Sequence, residues 1–335
     1  MRNKKALKGK VISLLLVTFL MSLLLVGCGS KNQGDQTAPS TSPEVSAEVT
    51  SQPEQTADEA FNVTITDSTG TEITLTKKPE RIVSLAPSTT EILCALGLED
   101  KMVGRTKYCN YPESITALPE VGGTSNPNVE AIVDLNPDLV VGATHVSEEV
   151  IGKLREVGIN VAFLNEQENF EGTYSAIEKV GMLTGTDEKA AEVVAEMKQK
   201  VADLEIALQG LNLTELPKVY YATGFGESDY GAGGDTFIGE IIHLAGATNI
   251  AQEISGWSIS KEQIADGDPD IIIVPSGVNM AADMATTDFY KDLRAVKEGK
   301  VYEIDGDSIS RQGPRVADAL VEMAQKNSSR TCKIR

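Results

Sequence analysis

Four residues near the amino terminus have the pattern of a site for thiol acylation. Leu25-Val26-Gly27-Cys28 places a cysteine after aliphatic and small residues, at the end of the apolar run Val11–Val26. Basic residues before such a run are typical of a secretory signal, and several acyl chains on one cysteine anchor a protein stably to a membrane. The pattern therefore predicts a lipoprotein signal peptide over residues 1–27 and lipidation of Cys28. A retained anchor helix is the alternative.

The residue types that most enzymes need are scarce in the rest of the chain. It has two histidines, His145 and His243, and no HExxH, GxSxG or Walker A motif. The glycines of residues 224–226 and 231–234 do not complete a dinucleotide-binding GxGxxG motif. The three cysteines after Cys28 contain no CxxC pair, so no disulfide framework or metal site is indicated. The sequence predicts neither catalysis nor a resident cofactor; a secreted enzyme and a structural surface lipoprotein or adhesin are the alternatives from other classes.

The charge of the chain argues against binding to nucleic acid. Its 335 residues include 30 Lys and Arg against 49 Asp and Glu, a net charge of −19. Five basic residues and no acidic residue precede Cys28, so the remainder carries −24. Proteins that neutralise phosphates need clustered basic residues. We therefore expect no nucleic-acid partner.

Composition changes sharply near Phe61. Residues 28–60 are rich in Ser, Thr, Pro, Gln, Glu and Ala and contain no aromatic residue, which predicts a flexible tether.

From Phe61 onward, apolar runs alternate with helical patterns, which indicates an α/β fold with buried parallel strands. Ser88 to Glu91 has the pattern of a capping box that opens a helix. The predicted strands are 61–65, 71–75 (a hairpin with the first), 81–85, 139–141, 161–164, 219–221, 271–274 and 301–304, and the predicted helices are 88–96, 129–135, 148–156, 174–183, 187–208, 237–245, 261–265 and 314–325.

The longest helical pattern, Asp187–Leu208, lies between two halves that repeat. The frame E-x-I-x-D-x-x-P-D followed by three aliphatic residues begins at Glu130 and again at Glu262, 132 residues later. Each copy predicts a short helix that ends before a proline and is followed by a buried strand. Glu130 and Glu262 thus occupy equivalent places, either to complement a helix dipole or to present paired charges to a two-fold symmetric partner. The helix is interpreted as a spine between two lobes, with a packed surface helix as the alternative.

Several motifs together resemble one family. The similarity is to the solute-binding proteins of the vitamin B12, haem and ferric-siderophore ABC importers. It rests on the acylation motif at residues 25–28, called the lipobox, on segments 81–91, 96–98, 103–104, 108–112, 121–123 and 128–130, and on Pro137-Asp138. The similarity extends over most of the chain from Phe61 to Gln325. It implies two Rossmann-like lobes with central parallel sheets, joined by one long helix, with a ligand cleft between them. The lobes would span residues 61–186 and 209–335, and the connecting helix residues 187–208.

The resemblance also implies partners. The docking glutamates of this family, which meet arginine pockets on a permease dimer, correspond to Glu130 and Glu262; bidentate arginine–carboxylate contacts combine charge with fixed geometry. Separate ATPase subunits would hydrolyse ATP. The implied location is the outer face of the bacterial cytoplasmic membrane, reached through the lipid anchor, or the periplasm.

The chain is most similar to the cobalamin-binding branch of this family, which implies cobalamin or a related corrinoid as transported ligand. Aromatic faces suit its macrocycle and polar groups suit its amide rim. Further tryptophans of that branch are replaced here by Thr124-Ser125 and Ala143-Thr144. Haem or a ferric siderophore is the alternative ligand. An anionic siderophore needs basic residues in the cleft, and the candidates are Arg311 and Arg105. The implied ligand-binding residues are Pro87, Tyr108, Tyr230, Trp257, Asp307 and Arg311, with His145 as a ligand for the metal of cobalamin or haem, or else as an exposed loop histidine.

Overall fold

A short antiparallel hairpin precedes the two lobes. The computed structural model describes residues 61–211 and 215–327. The hairpin consists of β1 (Val63–Thr66) and β2 (Glu72–Leu75), and it confirms the predicted pairing across Asp67–Gly70. The predictions for the signal peptide, for Cys28 and for the tether lie outside the described residues.

The first lobe contains a four-stranded parallel sheet in the order β4-β3-β5-β6. Three of its strands follow the predicted apolar runs, whereas β4, which contains Gly104 and Arg105, had not been predicted. A side chain at Gly104 would lie 2.5 Å from the Cδ1 atom of Leu135, so a glycine permits close packing of the helix that covers this strand. The elements are β3 (Ile82–Ser84), α1 (Pro87–Ala95), β4 (Met102–Arg105), α2 (Val129–Asp134), β5 (Leu139–Gly142), α3 (Glu148–Glu156) and β6 (Val161–Phe163).

Two long helices follow the first lobe. Helix α4 (Phe170–Thr184) ends at Gly185, whose φ of 66° is left-handed and favours glycine. The next helix, α5 (Asp187–Gly210), begins at the predicted residue and continues two residues beyond the predicted end. It is about 36 Å long at 1.5 Å per residue. Its buried residues include Ala190 and Met197, and it packs against α4 and against the last helix of the chain.

The second lobe repeats the first and adds an antiparallel extension. Strands β9, β7, β11 and β12 pair in parallel, with the same order of connection as β4, β3, β5 and β6. Strands β8 and β10 continue the sheet in antiparallel fashion from the carboxyl end of β7. The elements are β7 (Lys218–Gly224), β8 (Asp229–Gly231), α6 (Phe237–Leu244), β9 (Thr248–Asn249), β10 (Ser258–Ile259), α7 (Lys261–Gly267), β11 (Ile271–Pro275), α8 (Met280–Met284), α9 (Arg294–Lys297), β12 (Val301–Ile304), α10 (Gly306–Ser310) and α11 (Val316–Asn327).

One hydrophobic core extends through both lobes. It joins one face of each sheet with α4, α5, α6 and α11, while the opposite face of each sheet has a core of its own. The rings of Phe170 and Phe237 lie 5.7 Å apart between the lobes. The backbone N–H of Phe170 also donates to Glu240 at 3.0 Å. Burial raises the pKa of Glu240, although this hydrogen bond opposes the shift. Among the described residues, no helix combines the length and apolarity required to cross a membrane.

The predicted capping box at Ser88 is wrong. Helix α1 begins at Pro87 after the N-cap residue Ala86, and no side chain caps it. Proline suits the first helical position because it has no N–H that needs a partner and its φ is already helical. Glu91 is consequently not a capping residue; only 4% of it is exposed, and its carboxylate faces the second lobe.

A buried carboxylate attaches the hairpin to the first lobe. Asp67 accepts hydrogen bonds from the backbone N–H groups of Thr69 and Phe163 at 2.9 and 3.0 Å. Arg155 of α3 lies 2.5 Å from its Oδ2 atom. Burial by itself would raise the pKa of Asp67, but the hydrogen bonds from Thr69, Phe163 and Thr71 outweigh burial and lower the pKa below 3.8.

We predict that Asp67→Asn lowers the free energy of unfolding by about 3 kcal/mol at pH 7, because Arg155 loses a buried partner. A carboxylate whose folded pKa is lowered stabilises the protein above its unfolded pKa, about 3.9, and ceases to do so as the pH falls through the folded value. The difference between wild type and variant should therefore be largest above pH 5 and shrink towards pH 2 in urea denaturation. Glu149→Gln, which removes an exposed pair with Lys153, serves as control; an equal loss there, or a pH-independent difference, would contradict the prediction.

Candidate functional site

The two lobes place side chains at the carboxyl ends of their parallel strands, where open α/β sheets bind ligands. In the first lobe, Pro87 follows β3, Tyr108 follows β4 and His145 follows β5. In the second lobe, α10 with Asp307 follows β12 directly. Loops of different strands therefore converge on one region, the cleft.

The antiparallel extension of the second lobe carries two predicted aromatic residues. Tyr230 of β8 lies opposite Ser258 of β10, next to Trp257. The Gly231 N–H donates to the Trp257 carbonyl at 2.8 Å, which holds the strands together. Tyr230 and Trp257 are 48% and 40% exposed, and Tyr108 in the other lobe is 51% exposed. Large aromatic side chains that remain accessible offer apolar faces to a ligand.

A set of charged and polar side chains connects the lobes at the cleft. At its centre, the buried Glu91 of α1 accepts two hydrogen bonds from Arg315, at 2.7 and 2.8 Å, and one from Arg311, at 2.9 Å. Such bidentate, charge-assisted contacts are among the strongest that side chains make. We call this set the cleft network; it consists of Glu91 and Asn110 in the first lobe and Asp305, Asp307, Arg311 and Arg315 in the second.

The polar contacts of Arg311 are with the cleft network and with the loop after β4. Besides Glu91, it donates to the Asn110 side chain at 2.8 Å and lies 2.6 Å from Asp307. It also reaches the carbonyl of Tyr108 at 3.4 Å. Asn110 donates in turn to Asp307 at 3.0 Å. These contacts fix the loop that carries Tyr108 against the second lobe.

Arg315, in the turn between α10 and α11, is the last member of the cleft network. Its guanidinium lies 4.0 Å from the ring centroid of Tyr111 and 3.1 Å from Asp305. A guanidinium over an aromatic face gains a cation–π interaction. The hydrogen bonds to Glu91, assisted by the charges of Glu91 and Asp305, raise the pKa of Arg315.

The structure brings only some of the predicted ligand-binding residues together. Asp307, Arg311 and the backbone of Tyr108 meet in the cleft network, and Pro87 begins the helix that supplies Glu91. Within residues 61–211 and 215–327, no hydrogen bond, ion pair or ring contact joins the side chain of Tyr230 or Trp257 to that network. His145 is exposed, has a left-handed φ of 75° and does not join the network, so metal binding by it stays a prediction.

Four residues of this region had not been predicted, namely Glu91, Asn110, Tyr111 and Arg315. Asn110 and Tyr111 lay within the quoted segment 108–112, but nothing in their spacing indicated a partner about 200 residues away. Arg105, considered as a basic residue for an anionic ligand, is buried and donates to the carbonyls of Ile115, Thr106 and Thr116. It therefore stabilises the loop after β4, and its guanidinium is already engaged.

A second buried cluster anchors the extension that carries Tyr230. Asp229 of β8 is buried and accepts hydrogen bonds from the Tyr290 hydroxyl and from Lys261, the latter at 2.9 Å. Lys261 also donates to the carbonyl of Gly226 at 2.5 Å. Its hydrogen bonds to Asp229 and Tyr290 raise the pKa of Lys261. Lys261 is the first residue of α7, so this cluster connects the strand that carries Tyr230 to the helix that carries Glu262.

The two repeated glutamates lie on the first turns of equivalent helices. Glu130 on α2 and Glu262 on α7 are exposed. The helices are capped by other residues: Asn128 accepts from the Ala131 N–H at 3.2 Å, and Ser260 forms a capping box with Gln263. Within the described part of the chain, neither glutamate has a hydrogen bond or an ion pair. Side-chain capping therefore does not account for them, although both remain favourably placed for the helix dipole.

The comparison with known families agrees with this architecture. The sequence pattern described as periplasmic binding protein matches residues 82–308, which include both sheets and most of the cleft network. The chain belongs to the periplasmic binding protein family. This membership confirms the predicted fold class, two α/β lobes around central sheets, and it identifies the chain as a solute-binding protein and not an enzyme.

Two curated relatives and one solved structure resemble this periplasmic binding protein over most of its length. An uncharacterised ABC transporter substrate-binding lipoprotein of Bacillus subtilis, YvrC, is 34% identical over 91% of this chain and 93% of its own. A cobalamin-binding protein of Halobacterium salinarum is 32% identical over 79% of this chain and 74% of its own. A possible iron-binding, periplasmic solute-binding protein of Staphylococcus epidermidis superimposes with a TM-score of 0.66 at 28% identity, covering 76% of this chain and all of that structure.

We predict that Asp229→Asn lowers the free energy of unfolding of this periplasmic binding protein by about 2 kcal/mol, because a charged acceptor of two buried hydrogen bonds is lost. The loosened extension should also make Trp257 more accessible to acrylamide quenching. Tryptophan fluorescence during urea denaturation gives the free energy of unfolding, and acrylamide titration of the folded protein gives the quenching. Asp288→Asn, which removes an exposed pair with Lys291, is the matched control and should change neither quantity appreciably. Unchanged quenching in Asp229→Asn would show that the cluster does not position the extension.

Proposed function

We propose that this periplasmic binding protein is the lipid-anchored substrate-binding component of an ABC importer and that it captures cobalamin or a related corrinoid. The lipobox at Cys28 and the similarity to the Bacillus subtilis lipoprotein support the anchor and the transporter class. The similarity to the cobalamin-binding protein of Halobacterium salinarum supports the ligand.

The observation that carries the ligand proposal is the combination of exposed aromatic residues with a cleft network that has no excess of positive charge. Tyr108, Tyr230 and Trp257 offer apolar faces from both lobes. The cleft network has three carboxylates and two guanidinium groups, and every guanidinium faces a carboxylate. A corrinoid combines a broad macrocycle with uncharged amide side chains. Aromatic faces and partly engaged polar groups suit such a ligand, since no strong excess of positive charge is required.

Haem and the ferric siderophores are the alternative ligands within the same transporter class. The exposed hydroxyl groups of Tyr108 and Tyr230, and the exposed imidazole of His145, are groups able to coordinate iron. The Staphylococcus epidermidis structure, described as possibly iron-binding, also favours this alternative. The charge of the cleft network argues against haem and against anionic ferric siderophores, because their negative groups would meet Glu91, Asp305 and Asp307.

We infer that Glu130 and Glu262 dock the loaded protein onto a permease dimer whose separate ATPase subunits hydrolyse ATP. Both carboxylates are exposed and unpaired within the described residues, and they stand on corresponding helices of two repeated lobes. Two equivalent charges match a partner with two equivalent subunits. The lipid on Cys28 would hold the protein at the outer face of the cytoplasmic membrane, or the protein would act in the periplasm.

Transport in this proposal requires only modest movement of the lobes. The shared core around α5 and the cleft network connect the lobes on two sides. The ligand would enter between the aromatic side chains, be held there, and leave when the permease separates the docked lobes. Tyr230 and Trp257 belong to the same extension that leads into α7, so the contacts of the ligand and the contact at Glu262 are mechanically linked.

The ligand is tested by titrating the chain from Phe61 onward with cyanocobalamin, hemin and ferric siderophores. Trp257 is the only tryptophan and is partly exposed, so its emission should be quenched by a ligand that covers it. We expect cyanocobalamin to bind with a Kd of micromolar or below, and calorimetry should give the same value. Absence of corrinoid binding at micromolar concentration would refute the preferred ligand, and tight binding of hemin in its place would establish the alternative.

Docking is tested by Glu130→Ala and Glu262→Ala in the full chain. Each variant should reduce uptake of cyanocobalamin by cells at least tenfold, because the permease arginines lose a bidentate partner. The Kd for cyanocobalamin should stay within twofold of wild type. Glu188→Ala, on the exposed first turn of α5, removes the same charge elsewhere and should transport normally. Loss of ligand binding in either docking variant would contradict the assigned role.

A further inference from the structure

Glu91 has a position that stability alone does not explain. It is an acidic residue in the first helix of the fold, 4% exposed, and it contacts two arginines that follow it by 220 and 224 residues. Buried ion pairs of this kind contribute little net stability compared with apolar residues of similar volume, because desolvation of the charges offsets their attraction. A buried charged group at a ligand cleft is therefore a candidate for a role in specificity.

The two arginines that Glu91 engages would otherwise be the natural receptors for an anion. Guanidinium groups match carboxylates and similar oxygen anions in charge and geometry, and they form two parallel hydrogen bonds with them. Arg311 borders the loop of Tyr108, and Arg315 covers the ring of Tyr111. Glu91 accepts hydrogen bonds from both arginines, so it occupies the place that an anionic group of a ligand would take.

We propose that Glu91 is a specificity-determining residue that acts as a built-in anion, engaging Arg311 and Arg315 and thereby excluding anionic metal chelates from the cleft. This inference deepens the proposed function and rests on it, since it concerns the selectivity of the same site. Asp305 and Asp307 strengthen the effect, because each pairs with one of the two arginines. The ligand that remains compatible with the cleft network is a large metal complex without net negative charge.

The test compares wild type with Glu91→Gln in the purified full chain. Glutamine retains the shape of Glu91 and one acceptor oxygen, removes its charge, and replaces the second acceptor oxygen with an NH2 group. The probes are trianionic ferric enterobactin, uncharged ferrichrome as a second iron chelate, and cyanocobalamin, with binding followed by Trp257 fluorescence and calorimetry. We expect the affinity for ferric enterobactin to rise about tenfold, or 1.4 kcal/mol. The affinities for ferrichrome and cyanocobalamin should not rise with it, so the ratio of the ferric enterobactin affinity to each of them should increase.

Two further variants separate selectivity from structure. Glu91→Gln combined with Arg315→Gln restores the original charge of the cleft network, so the gain for ferric enterobactin should disappear. Glu188→Gln removes one charge on the exposed first turn of α5 and should leave all three affinities unchanged. Circular dichroism and urea denaturation establish that each variant is folded.

The proposal is overturned if Glu91→Gln changes the three affinities by a common factor, since that result assigns Glu91 a purely structural role. It is also overturned if ferric enterobactin gains nothing, or if wild type already binds it as tightly as the variant does. Failure of the proposed ligand has a different signature. In that case cyanocobalamin does not bind wild type, while the comparison of ferric enterobactin with ferrichrome still reports on Glu91.

Discussion

The hydrogen bonds between Glu91 and two arginines of the other lobe are a direct polar connection between the two lobes. On one side of the molecule the lobes share a hydrophobic core around α5. On the cleft side, Glu91, Arg311 and Arg315 connect them again. Two attachments fix the angle between the lobes, which a single attachment would leave free.

The repeat of the two lobes explains why the site forms where it does. Each lobe directs the carboxyl ends of its parallel strands towards the other, so loops distant in sequence meet. The second lobe then departs from the repeat by adding β8 and β10. Strand β8 carries Tyr230, and β10 leads into α7. The buried Asp229 holds this addition to Lys261. The repeat thus gives Glu130 and Glu262 equivalent positions, while the departure from the repeat adds the exposed Tyr230.

Features with strong local signals could be predicted from sequence, and those that depend on distant partners could not. The aliphatic runs of β5 and β11, the 132-residue repeat and the long periodic pattern of α5 all gave the observed elements. Strands β8 to β10 are two or three residues long and too short for a pattern to emerge. Glu91 had the spacing of a capping residue, yet its carboxylate accepts hydrogen bonds from Arg311 and Arg315. A local motif states which contacts are possible, and tertiary structure decides which is made.

The shared core has a consequence for the order in which the protein can fold. Helix α11 contributes Val316, Leu320 and Met323 to the core that also contains the apolar faces of α4 and α5. A chain synthesised from its amino terminus therefore exposes these faces until α11 has been synthesised. The first lobe cannot reach its final packing alone, although its own sheet is complete by Phe163. A chain interrupted shortly before α11 would expose apolar surface, aggregate readily and be degraded early by quality-control proteases.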